Sequence, residues 1–193
     1  MAIRQIREVG DPLLRKKSRP FETVDDKAKE LLQDLFDTLK TTEDGVGLAA
    51  PQVGVLRRAI VIDLSMEEDN PQGPFKLINP VITKQSGEQV CREGCLSVPG
   101  KLGDVTRPNK VTVEALDENG KKVKIKAEGL LAVVLSHEID HLDGVLFIDK
   151  ATEIYDQEDL EREEEENNKK KKWGNLFMNI VFMRNSRFCA WNT

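Results

Sequence analysis

The sequence predicts an α+β domain, with antiparallel or mixed sheets wrapped around one central helix. Three observations carry that reading. Residues Gly129–Gly144, "GLLAVVLSHEIDHLDG", are apolar almost all round, the pattern of a helix buried in the middle of a domain. Residues 111–127, "VTVEALDENGKKVKIKA", alternate apolar and polar on both sides of Asn119-Gly120, a β-hairpin signal. "RRAIVIDL" (57–64) and "FKLINPVITK" (75–84) read as two further strands.

In chain order, the first element is a helix over Thr23–Glu43, "TVDDKAKELLQDLFDTLKTTE". Ala28, Leu31, Leu32, Leu35, Phe36 and Leu39 recur at helical spacing and give it one apolar face. Thr23 reads as its cap, with Asp26 three residues on completing a capping box. "EDGVGLAAPQVG" (Glu43–Gly54) is rich in glycine and small residues and contains Pro51, so it reads as a poor regular element. The two strands come next. In "QVCREGCLSVPG" (89–100), Gly94 and Pro99 disfavour a helix. After the hairpin comes the buried helix, with Gly144 as its C′ stop. Past Ala151 the composition shifts to "DQEDLEREEEENNKKKKW" (156–173), an acidic block followed by a basic one. The chain therefore divides into a domain over 1–155 and a charged C-terminal helix and tail over 156–193. The plain reading of that block is a solvated helix. The functional one is a grip by Lys169–Lys172 on a large anionic partner.

At 193 residues with 39% hydrophobic content, the chain can bury one full core. Its 29 Lys and Arg against 34 Asp and Glu give a net charge of -5, which argues against a nucleic-acid binder held mainly by phosphate contacts. No apolar run approaches the roughly 20 residues that span a bilayer. The opening "MAIRQIREVGDPLLRKK" lacks the apolar stretch of a signal peptide. Cys91, Cys95 and Cys189 are an odd number, which points to a reducing cytoplasm rather than a disulfide framework.

His137 and His141 are the only histidines. At i and i+4 on a helix they lie on one face about 6 Å apart and can hold one metal ion together. Glu138 stands beside that axis, where a general base would meet water at the metal. Bare imidazoles and a carboxylate would be costly in so apolar a helix, and a metal offsets that cost. A catalytic site needs a third protein ligand, here Cys, Asp or Glu. In an extended stretch Cys91 and Cys95 are about 13 Å apart, too far to share one ion. Cys95, flanked by Gly94 and followed by a turn, is the better choice. Cys91 reads as a small core residue. With three ligands the fourth position stays open, which means catalysis.

"GVGLAAPQ" (Gly45–Gln52), "EGCLSVP" (Glu93–Pro99) and "HEIDH" (His137–His141), in this order and at these separations, resemble the three signature motifs of the peptide deformylases. "VGDPLLRKKS" near the start and Arg107-Pro108 resemble the family too, and the similarity covers roughly residues 3–155. The resemblance implies Cys95, His137 and His141 as metal ligands and Glu138 as general base and then acid. It implies Gln52 and the backbone N–H of Leu96 as oxyanion donors, and Gly47 as a residue whose backbone meets the substrate, with Val46 and Gly94 beside it. Val133 and Val134, in the turn before His137, are candidates for an apolar methionine pocket. The implied cofactor is Fe2+, with Zn2+, Ni2+ or Co2+ able to replace it. The implied substrates are N-formylmethionyl peptides and nascent chains, with the ribosome as a partner of the basic segment and no membrane. Gly45 and Gly47 would let a peptide add as a strand to an exposed sheet edge.

Two rivals share the metal motif. A zinc endopeptidase commonly takes a third His or Glu downstream, and no downstream His exists. A non-catalytic metal module would close its sphere with a fourth protein ligand. The tail poses a separate question. "MNIVFM" (Met178–Met183) resembles the start of methionyl-tRNA formyltransferase, and "RNSRFC" after it matches that family's continuation shifted by one base. One reading is that the chain from Met178 onward is read-through from a neighbouring gene, with Cys189 an incidental thiol; the other is a genuine C-terminal helix whose Leu176, Phe177, Ile180 and Val181 pack on the domain.

Overall fold

The structure, a computed structural model, describes residues 2–66 and 72–162. The basic run Lys169–Lys172, the segment from Met178 and Cys189 lie outside the described residues.

The first helix, α1, spans Asp26–Lys40. It starts later than its sequence pattern suggests. Asp25, not Thr23, caps it, because the Asp25 carboxylate accepts the Ala28 N–H at 2.9 Å. Ala28, Leu31, Leu32, Leu35 and Leu39 are buried along one face.

Among the described residues eight strands follow: β1 (Gly47–Ala49), β2 (Ala59–Leu64), β3 (Gln72–Ser86), β4 (Gln89–Cys95), β5 (Val98–Arg107), β6 (Lys110–Leu116), β7 (Lys122–Glu128) and, after the second helix, β8 (Glu153–Asp156). They form two antiparallel sheets, one of five strands in the order β1-β2-β3-β6-β7 and one of three in the order β4-β5-β8. The segment that reads as irregular holds β1 and then a 3-10 turn over Ala50–Val53.

Every residue of β2 is buried, because both faces of the sheet are covered there. Ala59 and Val61 pack with α1. Ile60, Ile62 and Leu64 pack with the second helix, α2 (Leu130–Leu142). Farther along the sheet only the α2 side is covered. There β6 alternates as its sequence does, with Val111, Val113 and Ala115 inward and Glu114 exposed. The β6–β7 hairpin turns over residues 117–121, with Gly120 at φ +76°.

All of α2 except Leu130 and Asp140 is buried. Covering Leu131, Val133, Val134, Leu135, Ile139 and Leu142 contributes on the order of 10 kcal/mol at about 1.5–3 kcal/mol per side chain. That offsets the cost of carrying His137, Glu138 and His141 inside.

The helix ends at Gly144 as the sequence predicts. Gly144 N–H donates to His141 O at 3.2 Å and Val145 N–H to Asp140 O at 3.0 Å, the Schellman pair of bonds. Gly144 has φ +76°, and a Cβ there would lie 2.6 Å from the Arg15 carbonyl oxygen. Gly144→Ala therefore meets both left-handed strain and a backbone collision. It should lower stability by about 2 kcal/mol or more. A denaturation midpoint equal to that of the unmodified protein would remove this account of the turn.

Candidate metal centre

Three elements bring the site together. Along β4, Cys91 and Glu93 fall on one face by strand alternation, the register shifts between Gly94 and Cys95, and all three of Cys91, Glu93 and Cys95 are buried. Cys91 sits in the core cluster with Val133 and Val134, as a small core residue does. Cys95 ends the strand, at the β4–β5 turn that holds Leu96 and Ser97. α2 supplies His137, Glu138 and His141. β1 and the 3-10 turn after it supply Gly47 and Gln52.

The ligand atoms of Cys95, His137 and His141 all lie within 4.8 Å of one another. His141 Nε2 is 3.3 Å from Cys95 Sγ and 3.2 Å from His137 Nε2. One sulfur and two nitrogens converging in a buried space make a donor set that fits a transition metal. Cys91 is outside that triangle.

Glu93 and Arg107 join the site through His137, and motif reading left them without a role. Glu93 is completely buried. Its Oε1 accepts Arg107 Nε at 2.6 Å, and its Oε2 accepts Arg107 Nη2 at 2.8 Å. Burial works against its charge, but the Arg107 and His137 hydrogen bonds win and hold its carboxyl below the usual range. An ionised carboxylate only accepts, so His137 Nδ1, 2.8 Å from Glu93 Oε2, must donate. That fixes the tautomer and leaves the His137 Nε2 lone pair facing the triangle. Arg107 also pairs with Asp140, which Lys150 holds at 2.6 Å.

Gln52 is oriented in the same way. Its Oε1 accepts Ala49 N–H at 2.8 Å, so its Nε2 faces the site, 3.6 Å from Cys95 Sγ and 3.1 Å from Ser97 Oγ. Ser97 N–H points at Cys95 Sγ from 3.4 Å. Ser97, fully buried, is a third residue that motif reading passed over.

Glu138 lies against β1. A Cβ on Gly47 would come 2.4 Å from Glu138 Oε1, so the glycine leaves room for the carboxyl. Among the described residues, Glu138 Oε2 and His141 Nδ1 are buried without hydrogen-bond partners. Burial, and then the negative charge of Glu93, push the Glu138 carboxyl well above its ordinary range. Burial, helped by the charge of Arg107, holds His141 well below its own. Burial also pushes the Cys95 thiol up to about 12. Each of these costs falls if a cation occupies the triangle.

The remaining candidates are spread around this centre. Val46, Val133 and Val134 are buried in the core cluster beneath it. Leu96 packs toward the α1 side. Gly94 pairs with Leu102 on β5. β1 is an edge of the five-stranded sheet.

A family model described as polypeptide deformylase matches residues 3–157. The chain belongs to the polypeptide deformylase family. Peptide deformylase 2 of Clostridium acetobutylicum is 55% identical over 153 residues, which cover 79% of this chain and 98% of that protein. The peptide deformylase of Acetivibrio thermocellus is 51% identical, over 84% of this chain and 91% of that one. Among solved structures, the peptide deformylase of Thermotoga maritima superposes with a TM-score of 0.73 at 37% identity, covering 79% of this chain and all of that one. The Ehrlichia chaffeensis peptide deformylase in complex with actinonin gives a TM-score of 0.75 at 37% identity, over 91% of this chain and all of that one. The chain is thus a hydrolase of the deformylase class, removing the N-terminal formyl group of nascent polypeptides, and its family is metal-dependent. Among the described residues no helix is long and apolar enough to cross a membrane.

Glu93→Gln keeps the shape of the side chain but withdraws the charge that orients His137 and balances Arg107. Metal affinity should fall by roughly 10- to 100-fold, the usual effect of losing a partner of a ligating histidine. Competition with a chelator measures it, and an unchanged affinity would show that His137 needs no such support.

Proposed function

We propose that Cys95, His137 and His141 hold one metal ion and that Glu138 acts beside it as the proton-transfer group in deformylation. The single observation behind this reading is the buried triangle of one sulfur and two nitrogens, with an unpartnered carboxyl oxygen alongside. The family's metal dependence and the orphaned His141 and Glu138 atoms support the fit of a metal to these residues. Fe2+ is the metal proposed, with Zn2+, Ni2+ or Co2+ able to replace it. When bound, the ion polarises the formyl oxygen and lowers the pKa of water.

The chain's own groups do the rest. Glu138, as the carboxylate, takes a proton from the attacking water and gives it to the departing amine. One water is consumed, the formyl C–N bond breaks, and formate and a free N-terminus leave. The oxygen that becomes negative is met by Gln52 Nε2 and the backbone N–H of Leu96. Gly47, with Val46 and Gly94 beside it, meets the substrate backbone, which adds as a strand to the β1 edge. Val133 and Val134 contribute to the apolar pocket for methionine. The substrates are N-formylmethionyl peptides and nascent chains, and the setting is the cytoplasm. The activity resides in residues 1–155. Contact with the ribosome through Lys169–Lys172 belongs to the same proposal and is supported by the charge of that run.

Two predictions test the roles. Glu138→Gln should retain the metal and lose on the order of 10²–10⁴ in rate, the usual effect of removing a general base. Formate release from formyl-Met-Ala-Ser, with metal content measured alongside, reads this out. Near-normal turnover would refute the role, and cleavage of an unformylated peptide of equal length would point to a protease instead. Separately, Cys95→Ser should weaken or alter metal binding, while Cys91→Ser should leave metal content and activity nearly intact. The reverse outcome would mean that the wrong cysteine was assigned.

A further inference from the structure

Residues 2–11 run outside any sheet yet spend their backbone donors on definite targets. Ala2 N–H donates to Asp34 Oδ1 at 2.8 Å, and Arg4 N–H to Thr38 Oγ1 at 3.0 Å. The Arg4 guanidinium clasps Asp34 Oδ2 through Nε at 3.0 Å and Nη2 at 2.8 Å. Farther on, Arg7 N–H donates to Gln52 O and Val9 N–H to Ser97 O, each at 2.7 Å. Arg7 then folds over Gly54 and pairs with Asp11 at 2.8 Å.

Asp34 and Thr38 are nearly completely buried on α1, among Leu31, Leu35 and Leu39, where an apolar side chain would pack. A buried carboxylate in such a place is costly unless paired. Packing of α1 gives no reason for it, and the N-terminal segment does. The other end of that segment lands on the two turns that frame Cys95. Gln52 Nε2 reaches Ser97 Oγ across the gap between those turns, and Ser97 N–H faces the sulfur.

We propose that residues 2–11 are a strap that sets the separation of the Gln52 turn and the Leu96–Ser97 turn, with Asp34 as its anchor. Arg4 and Asp34 are positioning residues, acting on the reaction only through the Arg7 and Val9 N–H groups. The strap rests on the reading of Gln52 and Leu96 as oxyanion donors, whose spacing decides how well they meet the developing charge. A misplacement of about 1 Å is enough to cost up to roughly 100-fold in rate.

The test compares Val9→Pro, which removes the N–H that holds Ser97, with Val9→Ala, which keeps it. The Val9 side chain is 47% exposed, so Val9→Ala should match the unmodified enzyme. In Val9→Pro, kcat for formyl-Met-Ala-Ser should fall on the order of tenfold with KM and metal content nearly unchanged. Its Co(II)-loaded form should also show a shifted thiolate-to-cobalt absorption band, because Ser97 no longer faces the sulfur squarely. A folded Val9→Pro protein with unchanged kcat and band overturns the strap. Should that variant not fold, hydrogen exchange decides. The Arg7 and Val9 amides should be protected in the unmodified protein and exchange faster in Arg4→Ala. Amides exchanging at the rate of open chain in the unmodified protein would overturn the idea. Gln52→Ala keeps the backbone oxygen that Arg7 holds, so unchanged activity in that variant would count against the oxyanion reading, while protection of the Arg7 and Val9 amides still reports on the strap.

Discussion

The carboxylate of Glu93 is the joint on which the site turns. It is buried between the guanidinium of Arg107 and the ring of His137, and so ties the three-stranded sheet to the central helix. Removing one partner from a buried pair of this kind typically costs about 3–5 kcal/mol, because the other charge is stranded. The bond also fixes register. Glu93 and Cys95 are two residues apart on β4, and both are buried there. A slip of one residue would turn Glu93 to the opposite side of the sheet and take its carboxylate away from Arg107 and His137. The sulfur and the first imidazole meet because the carboxylate admits one alignment of strand and helix.

Burial does the rest of the tuning. The same apolar helix that stabilises the domain strips water from His137, Glu138 and His141. It raises the carboxyl, lowers the imidazole of His141 and, with β4, raises the thiol. None of these groups gains from being there alone. Together they form a pocket of strained protonation that one cation relieves. The price of solvent exclusion is thus spread over groups that a metal and a substrate can both satisfy.

Much of this was legible in the sequence, and the gaps have physical causes. The helix around His137 announced itself because apolar residues on every side have one explanation, and Gly144 because a left-handed C′ residue favours glycine. The trio of Cys95, His137 and His141 came from helical spacing plus elimination, and the atoms do converge. The start of α1 was misplaced because Thr23 and Asp25 are both good caps, and only the folded backbone decides which one reaches an N–H. β1 escaped notice because three residues are too few to show a period; β2 makes it a strand by pairing with it. Glu93 was readable by counting two residues back from Cys95, but its partner was not. Arg107 is 14 residues away and arrives through the β4–β5 register, which a local pattern does not carry.

The two edges of the five-stranded sheet are built to opposite ends. β1 offers only Gly47, Leu48 and Ala49, and β7 carries the exposed lysines Lys122, Lys124 and Lys126. An edge of three residues is long enough to grip a short extended peptide and too short to template stacking of whole sheets. Lysines along the far edge, of which Lys124 pairs with Glu114, disfavour a second copy that would extend the sheet there. A protein that deformylates nascent polypeptides thus presents one open edge too short to invite the aggregation that open edges usually bring.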